Sequence, residues 1–253
     1  MRTTAIFNYK GGSGKTTTAI NLAAELAARG ARVLLIDADG QRNTSEFFDA
    51  NSESESIYEL LTGIEPYYEN LIQRTRWENL DILPASSDLA TVELQAIQQK
   101  QTLRLGALAD LCEAIAGDDV YDQILIDCPP SFAPQSVAAL VAADDVVVPV
   151  TLDNFAISGL RDLSVSIQGA QKSNPKLRIA GVLITMEDKS AVSRDAAAAL
   201  RASGYPVYKQ SIRYSRYAQR MTFDSGPLRD FCAFSGIARD YEAFANEFVG
   251  GAK

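Results

Sequence analysis

Residues 8–18 read Asn8-Tyr9-Lys10-Gly11-Gly12-Ser13-Gly14-Lys15-Thr16-Thr17-Thr18, and the reading of this stretch decides the fold. Gly14-Lys15-Thr16 is the end of a phosphate-binding loop of pattern G-x-x-x-x-G-K-[ST]. Its opening glycine is replaced by Tyr9, and a second lysine, Lys10, follows. Glycines at 11, 12 and 14 let several backbone N–H groups, Ser13 included, point at one anion, and the helix that follows adds its positive end. In that arrangement Lys15 reaches the β- and γ-phosphates and the Thr16 hydroxyl ligates Mg²⁺. Lys10 stands on the opposite shoulder of the loop, better placed to reach outward to a second nucleotide than to share the work of Lys15.

The context suits the motif. An apolar stretch, Thr4-Ala5-Ile6-Phe7, leads in, and a helical pattern of Ile20, Leu22, Ala23, Leu26 and Ala27 leads out to Gly30, a good C′ residue. Strand and helix signals then alternate to the end. Strands are expected at Arg32–Ile36, Leu80–Leu83, Ile124–Ile126, Val146–Val150, Ile179–Ile184 and Tyr205–Tyr208. Helices are expected around Leu89–Ile97 and Leu103–Ala116, and at Gln135–Ala142, Ile157–Gln171, Val192–Ala202 and Ile237–Phe248. Ser56-Ile57-Tyr58-Glu59 is a capping box that opens a short helix closed by Gly63. This order predicts one α/β domain over residues 1–253. Its sheet is doubly wound and mainly parallel, with helices on both faces and ligands at the C-terminal strand ends.

Composition narrows the chemistry. The chain has 253 residues, 47% of them hydrophobic, enough for a substantial core. Its formal charge is −8, so any surface for nucleic acid has to be a local patch. There is no histidine, which excludes Ser-His-Asp catalysis and histidine-bound zinc. Catalysis must rest on carboxylates, lysines and a bound metal. Three widely spaced cysteines, Cys112, Cys128 and Cys232, point to a reducing cytoplasm with neither a disulfide framework nor a C-x-x-C metal site. No secretory segment precedes the first strand, and no apolar run approaches the roughly 20 residues of a membrane span. The stretch from Tyr241 to Lys253 lacks the basic amphipathic face of a membrane-targeting helix.

Two more motifs end strands and converge with the loop in such a fold. One is Asp37-Ala38-Asp39-Gly40-Gln41-Arg42-Asn43-Thr44-Ser45, and the other is Asp127-Cys128-Pro129-Pro130-Ser131. A strand-terminal aspartate is often only a turn or cap residue. Two beside a phosphate loop fit a magnesium ion, whose waters need carboxylate acceptors.

The segment Lys10–Thr17, Lys-Gly-Gly-x-Gly-Lys-Thr-Thr, resembles the deviant Walker A motif of ParA/MinD-type ATPases. The second segment is similar to that family's D-x-D-P-Q-G-N-[AST]-[ST], with Gly40 and Arg42 in place of proline and glycine, and the third to its D-x-P-P. Leu83-Pro84-Ala85 with Leu89-Ala90 also matches a recurrent stretch. The resemblance spans most of the chain, is closest to ParA (Soj-like) partition ATPases, and fades after about residue 190. It implies ATP and Mg²⁺ as cofactors, bound by residues 10–17, with Thr16, Asp39 and Asp127 at the metal. Lys10 then crosses a dimer interface to the partner's nucleotide. Asp39 orients the attacking water, Asp127 holds a magnesium-bound water, and Asp37 supports the switch. The changes at Gly40 and Arg42 are expected to alter the switch's flexibility. Met186, Asp188, Ile212 and Arg213 lie where the family places its adenine neighbours.

Arginines at 194, 201, 213, 216, 220 and 229, with Lys209, concentrate in the C-terminal third among Tyr205, Tyr208, Tyr214 and Tyr217. Two readings of them stand: solvated helix faces, or a phosphate-contacting face made continuous by dimerisation. On the second reading Arg194, Arg201, Lys209, Arg213, Arg216 and Arg220 contact DNA. The resemblance implies a cytoplasmic sandwich dimer that binds double-stranded DNA nonspecifically, associates with the nucleoid when ATP-bound, and is reset by a ParB-like centromere-binding partner. Because the chain runs directly into its first strand, no N-terminal operator-binding domain and no autorepressor role are expected. Rival expectations are a MinD-like membrane-bound regulator, an iron–sulphur carrier, and an ATPase that positions a protein cargo without DNA. The C-terminus disfavours the first, and the cysteine spacing disfavours the second.

Overall fold

Among the described residues seven strands build one sheet in the order β3-β4-β2-β5-β1-β6-β7, and all but the edge strand β3 run parallel. They are β1 (Arg2–Ile6), β2 (Val33–Asp37), β3 (Gln73–Arg74), β4 (Leu80–Leu83), β5 (Gln123–Asp127), β6 (Asp145–Thr151) and β7 (Arg178–Thr185). This computed structural model describes residues 1–51, 55–64, 67–153, 156–224 and 226–250. The expected C-terminal residues 251–253 and the serine-rich residues 52–54 lie outside that set.

The strands are apolar on both faces, as a sheet covered by helices requires. Alternate side chains go to opposite layers. Leu34, Ile36, Ile124, Ile126, Val146, Val148, Val182 and Ile184 pack into one core. Val33, Leu35, Leu125, Val147 and Leu183 pack into the other. The first core is covered by α3 (Ile57–Thr62), α5 (Val92–Gln99), α6 (Ala107–Asp118), α7 (Pro134–Ala142), α8 (Ala156–Ala170) and α9 (Ala191–Arg201). The second is covered by α1 (Lys15–Ala27), α2 (Asn43–Phe47), α10 (Arg216–Asp224), α11 (Leu228–Phe231) and α12 (Gly236–Gly250). The short helix α4 (Tyr68–Leu71) precedes β3. The hydrophobic stripe of each helix packs into one of these cores and accounts for its placement.

The expected capping box forms: Ser56 accepts from the Tyr58 N–H, Glu59 accepts from the Ser56 N–H, and Gly63 closes α3 in the left-handed region. One expected strand does not form. Residues 205–208 make only an isolated bridge, Val182 to Val207, with Tyr208 N–H donating to Val182 O at 3.0 Å. Pro206 has no N–H to give, so the β-rich pattern yields one rung beside β7 rather than a ladder. The helical stretch near residue 89 splits into a 3-10 turn at Ser87–Ala90 and α5. Helix α10, which the sequence pattern did not suggest, carries Arg216 and Arg220. Among the described residues no helix is long and apolar enough to cross a membrane.

Candidate nucleotide-binding site

Strand register brings the three motifs together. Ile6 and Asp37 both pair with Asp127, so β1, β2 and β5 end level with one another. The loop that leaves β1 therefore rises beside Asp127 on β5, with Asp37 on the next strand, β2. Gly12 (φ 71°) and Gly14 (φ 84°) adopt left-handed backbone, which explains the glycines, and Gly14 caps the N-terminus of α1. The loop is tied down at both ends. Asn8 Nδ2 donates to Pro149 O at 2.7 Å while its Oδ1 accepts from the Lys10 N–H at 3.1 Å. At the far side, Thr185 Oγ1 donates to Ser13 O at 2.8 Å. Tyr9, the residue in the missing glycine's place, packs edge-on between Phe7 and Phe132 and hydrogen-bonds Ser166 of α8. Its role is to anchor the loop's entry.

The two lysines behave differently. Lys15 is buried and folds back over the loop, with Nζ donating to Lys10 O at 3.1 Å. Burial lowers the pKa of its ammonium, while Asp127, Cys128 and Asp39 oppose that shift. Lys10 is half exposed, and its Nζ is engaged by Thr151 Oγ1 at 2.8 Å and by the Asp153 carboxylate.

Asp37 and Asp127 are buried at the strand ends. Asp37 accepts from the Ser45 hydroxyl (2.6 Å), the Ser45 N–H (2.8 Å) and the Asp39 N–H (3.0 Å). Thr44 Oγ1 donates to Asp127 Oδ2 at 2.7 Å, and Thr16 stands beside the same carboxyl. Asp127 Oδ1 and Ser13 Oγ are buried without a hydrogen-bond partner. Such orphans are costly unless a ligand or water completes them. The Asp127 carboxylate with the Thr16 hydroxyl beside it offers hard oxygen donors that suit Mg²⁺ and its waters. Asp39 is half buried, and its Oδ1 accepts the Gln41 N–H at 3.0 Å. Thr44 and Ser45, unassigned from sequence, hold the two acids, and the [AST]-[ST] ending of the segment was the available signal.

The switch carries two departures with physical consequences. A Cβ on Gly40 would lie 2.4 Å from Ala90 N, so the proline of the motif this segment resembles does not fit here. Arg42, where the motif this segment resembles has glycine, sits at φ 60° and donates from Nε to Ala85 O at 3.1 Å. That bond offsets part of the left-handed strain, of about 1 kcal/mol. The segment is thus tied at Ala85, through both Arg42 and Ser45 Oγ.

Burial raises the pKa of Asp127, reinforced by Asp37 and opposed by Thr44 and Thr16. Burial also raises Asp37, opposed by its bonds to Ser45 and Asp39. Folded carboxyls with raised pKa retain protons that the unfolded chain releases above 3.8. Stability of the nucleotide-free protein should therefore fall as pH climbs from about 4 through the raised values. Thermal melts between pH 5 and pH 8 will check this. Asp127→Asn should flatten the slope and raise the melting temperature at pH 8, and an unchanged slope would exclude Asp127 as its source.

Around the loop's other flank, Glu187 N–H donates to Ile212 O at 3.0 Å and Tyr214 N–H to Glu187 O at 2.9 Å. These bonds bring Met186–Asp188 beside Ile212–Arg213, next to Thr185 and the loop. Met186 is exposed at φ 55°, Asp188 is exposed, and Ile212 is buried. Arg213 makes a paired bridge to Asp240 (2.7 and 2.8 Å) and covers Gly236. The remaining basic residues do not share one layer. Arg194 and Arg201 ride on α9 over the first core, and Arg216 and Arg220 on α10 over the second. Lys209, in the segment bridged to β7, lies between the two helices in the chain.

Comparison with known proteins agrees with this geometry. Residues 1–179 match the family described as an AAA domain. The chain is 42% identical over 255 residues to the chromosome-partitioning ATPase Soj of Thermus thermophilus, covering 98% of this chain and 96% of that one. It is 42% identical over 217 residues to the chromosome partitioning protein ParA of Caulobacter vibrioides, covering 84% and 80%. Cobyrinic acid a,c-diamide synthase from Mycobacterium smegmatis, solved with ADP and magnesium, superposes with a TM-score of 0.79 at 29% identity, covering 98% and 94%. Likeness of this extent, over a loop that bears both lysines, makes the chain a member of the ParA/MinD-type ATPase family, of the ParA/Soj partition kind.

Proposed function

We propose that the protein is an ATP-driven partition switch, in which nucleotide turnover resets a DNA-binding state. The observation that carries this reading is the alignment of the two-lysine loop with Asp37 and Asp127 at level strand ends. ATP binds along Gly11–Thr17, with Lys15 on the β- and γ-phosphates and Met186, Asp188 and Ile212 beside the base. Thr16, Asp39 and Asp127 would hold Mg²⁺, which would supply charge neutralisation at the phosphates. Thr44 fixes the Asp127 carboxylate, Asp39 orients the attacking water, and Lys10 serves the nucleotide of a second copy. The resulting dimer binds double-stranded DNA through phosphates, and a ParB-like partner stimulates hydrolysis and release. The setting is the cytoplasm, on the nucleoid while ATP is bound.

DNA binding is tested by titrating DNA fragments of unrelated sequence against the ATP-loaded protein at several salt concentrations. If the dimer neutralises about six phosphates, log K against log salt should have a slope near −5. Arg194→Glu and Arg216→Glu, on opposite layers, should each weaken binding to every sequence alike while dimerisation persists. Arg213 is a poor choice for this test, because its loss also breaks the bridge to Asp240. Normal DNA affinity in both variants would leave these arginines as solvated surface and favour an ATPase that positions a protein cargo.

A further inference from the structure

Lys10 is held by its own chain at three points. Its N–H is fixed by Asn8 Oδ1, and its carbonyl is fixed by Lys15 Nζ. Its ammonium bridges across to the end of β6, where Thr151 Oγ1 lies 2.8 Å away and the Asp153 carboxylate completes the pair. Tyr9, locked between Phe7, Phe132 and Ser166, keeps the preceding residue from moving. With the backbone pinned, only the four-carbon stem can travel. The ammonium therefore has two destinations: the Thr151–Asp153 site on its own chain, or the space outside the loop. It cannot occupy both.

We propose that Asp153, with Thr151, is a dock that keeps Lys10 on its own chain and must be vacated before this lysine reaches a second copy. This rests on the reading that Lys10 acts across a dimer. Asp153 is a positioning residue that acts through Lys10, and it sets the threshold for dimerisation. Both members of the pair are partly exposed, with 46% and 35% of their side chains accessible. Exposed pairs are weak and screened by salt, so the dock is a bias rather than a block. A weak dock suits a switch, since a deep one would prevent the dimer from forming at all. Asp153 also accepts the Ala156 N–H through its carbonyl at the start of α8, so the dock sits on a fixed element.

The test is the dimer dissociation constant by sedimentation, with a non-hydrolysable ATP analogue and Mg²⁺, at low and high salt. Four chains are compared: wild type, Asp153→Asn, Lys10→Ala, and the double variant. Asp153→Asn should tighten the dimer about two- to fivefold at low salt, the range an exposed pair sustains, and less at high salt. Thr151→Val should shift it in the same direction. In the Lys10→Ala background, Asp153→Asn should have no effect. The dock is overturned if Asp153→Asn leaves the dimer unchanged or weaker while Lys10→Ala weakens it. It is equally overturned if the Asp153→Asn effect survives the loss of Lys10. Should Lys10→Ala dimerise as tightly as wild type, the trans role of Lys10 itself is wrong, and the two failures are thereby told apart.

Discussion

Asp39→Ala is expected to bind ATP as wild type does, lose hydrolysis by about 10²–10⁴-fold, and accumulate as a persistent dimer with ATP and Mg²⁺. The expectation follows from where Asp39 sits. It lies two residues beyond β2, and its backbone is held by Asp37 and its carboxylate by the Gln41 N–H. Among the described residues no hydrogen bond links its side chain to the glycine loop, so truncation spares the groups that cradle phosphate. What is lost is an acceptor able to orient water beside the loop. Size-exclusion with ATP and Mg²⁺, alongside phosphate release, separates binding from turnover. The single tryptophan gives a further readout. Trp77 stacks on Phe47 at the end of α2, with ring centroids 6.4 Å apart, so its fluorescence reports on the switch segment. If Asp39→Ala hydrolyses ATP at the wild-type rate, Asp39 has no part in the mechanism.

The loop, the strand-end acids and the parallel sheet were legible because each is a local pattern. Gly14-Lys15-Thr16 follows an apolar strand and opens a helix, and Asp37 and Asp127 each close a buried run. Parallel pairing then brings these ends level. Long-range partners left no such trace. Thr185 reaches Ser13 across 172 positions, Lys10 reaches Asp153 across 143, and Thr44 reaches Asp127 across 83. Thr185 at the end of β7 and Asp153 after β6 carry no local mark of their ties, and Thr44 had only the [AST]-[ST] ending of its segment as a signal. The basic C-terminal third shows a different limit. Arginines close in sequence were read as one candidate face, yet α9 and α10 pack on opposite cores, because the chain crosses the β7 edge between them. At 205–208 a β-rich pattern was overridden by the missing N–H of Pro206.

The sharpest test of the site is that its two lysines fail in different ways. Lys15 is buried within the loop, its ammonium beside Asp127 and hydrogen-bonded to Lys10 O. A charged hydrogen bond to phosphate contributes about 1.5–3 kcal/mol, so Lys15→Ala should weaken nucleotide binding by about 10- to 100-fold. Lys10 is half exposed and its ammonium contacts Thr151 and Asp153 rather than the loop interior. Lys10→Ala should therefore keep the fold and most of the nucleotide affinity. A cation delivered by a second chain to the transferring phosphate acts as an arginine finger does, which is worth about 10³–10⁵ in rate. Stimulated turnover should accordingly collapse by that order in Lys10→Ala. Nucleotide affinity by calorimetry and turnover by phosphate release, measured on the same preparations, distinguish the two roles. Identical losses of affinity in both variants would place Lys10 on its own chain's phosphates and refute the division of labour between them.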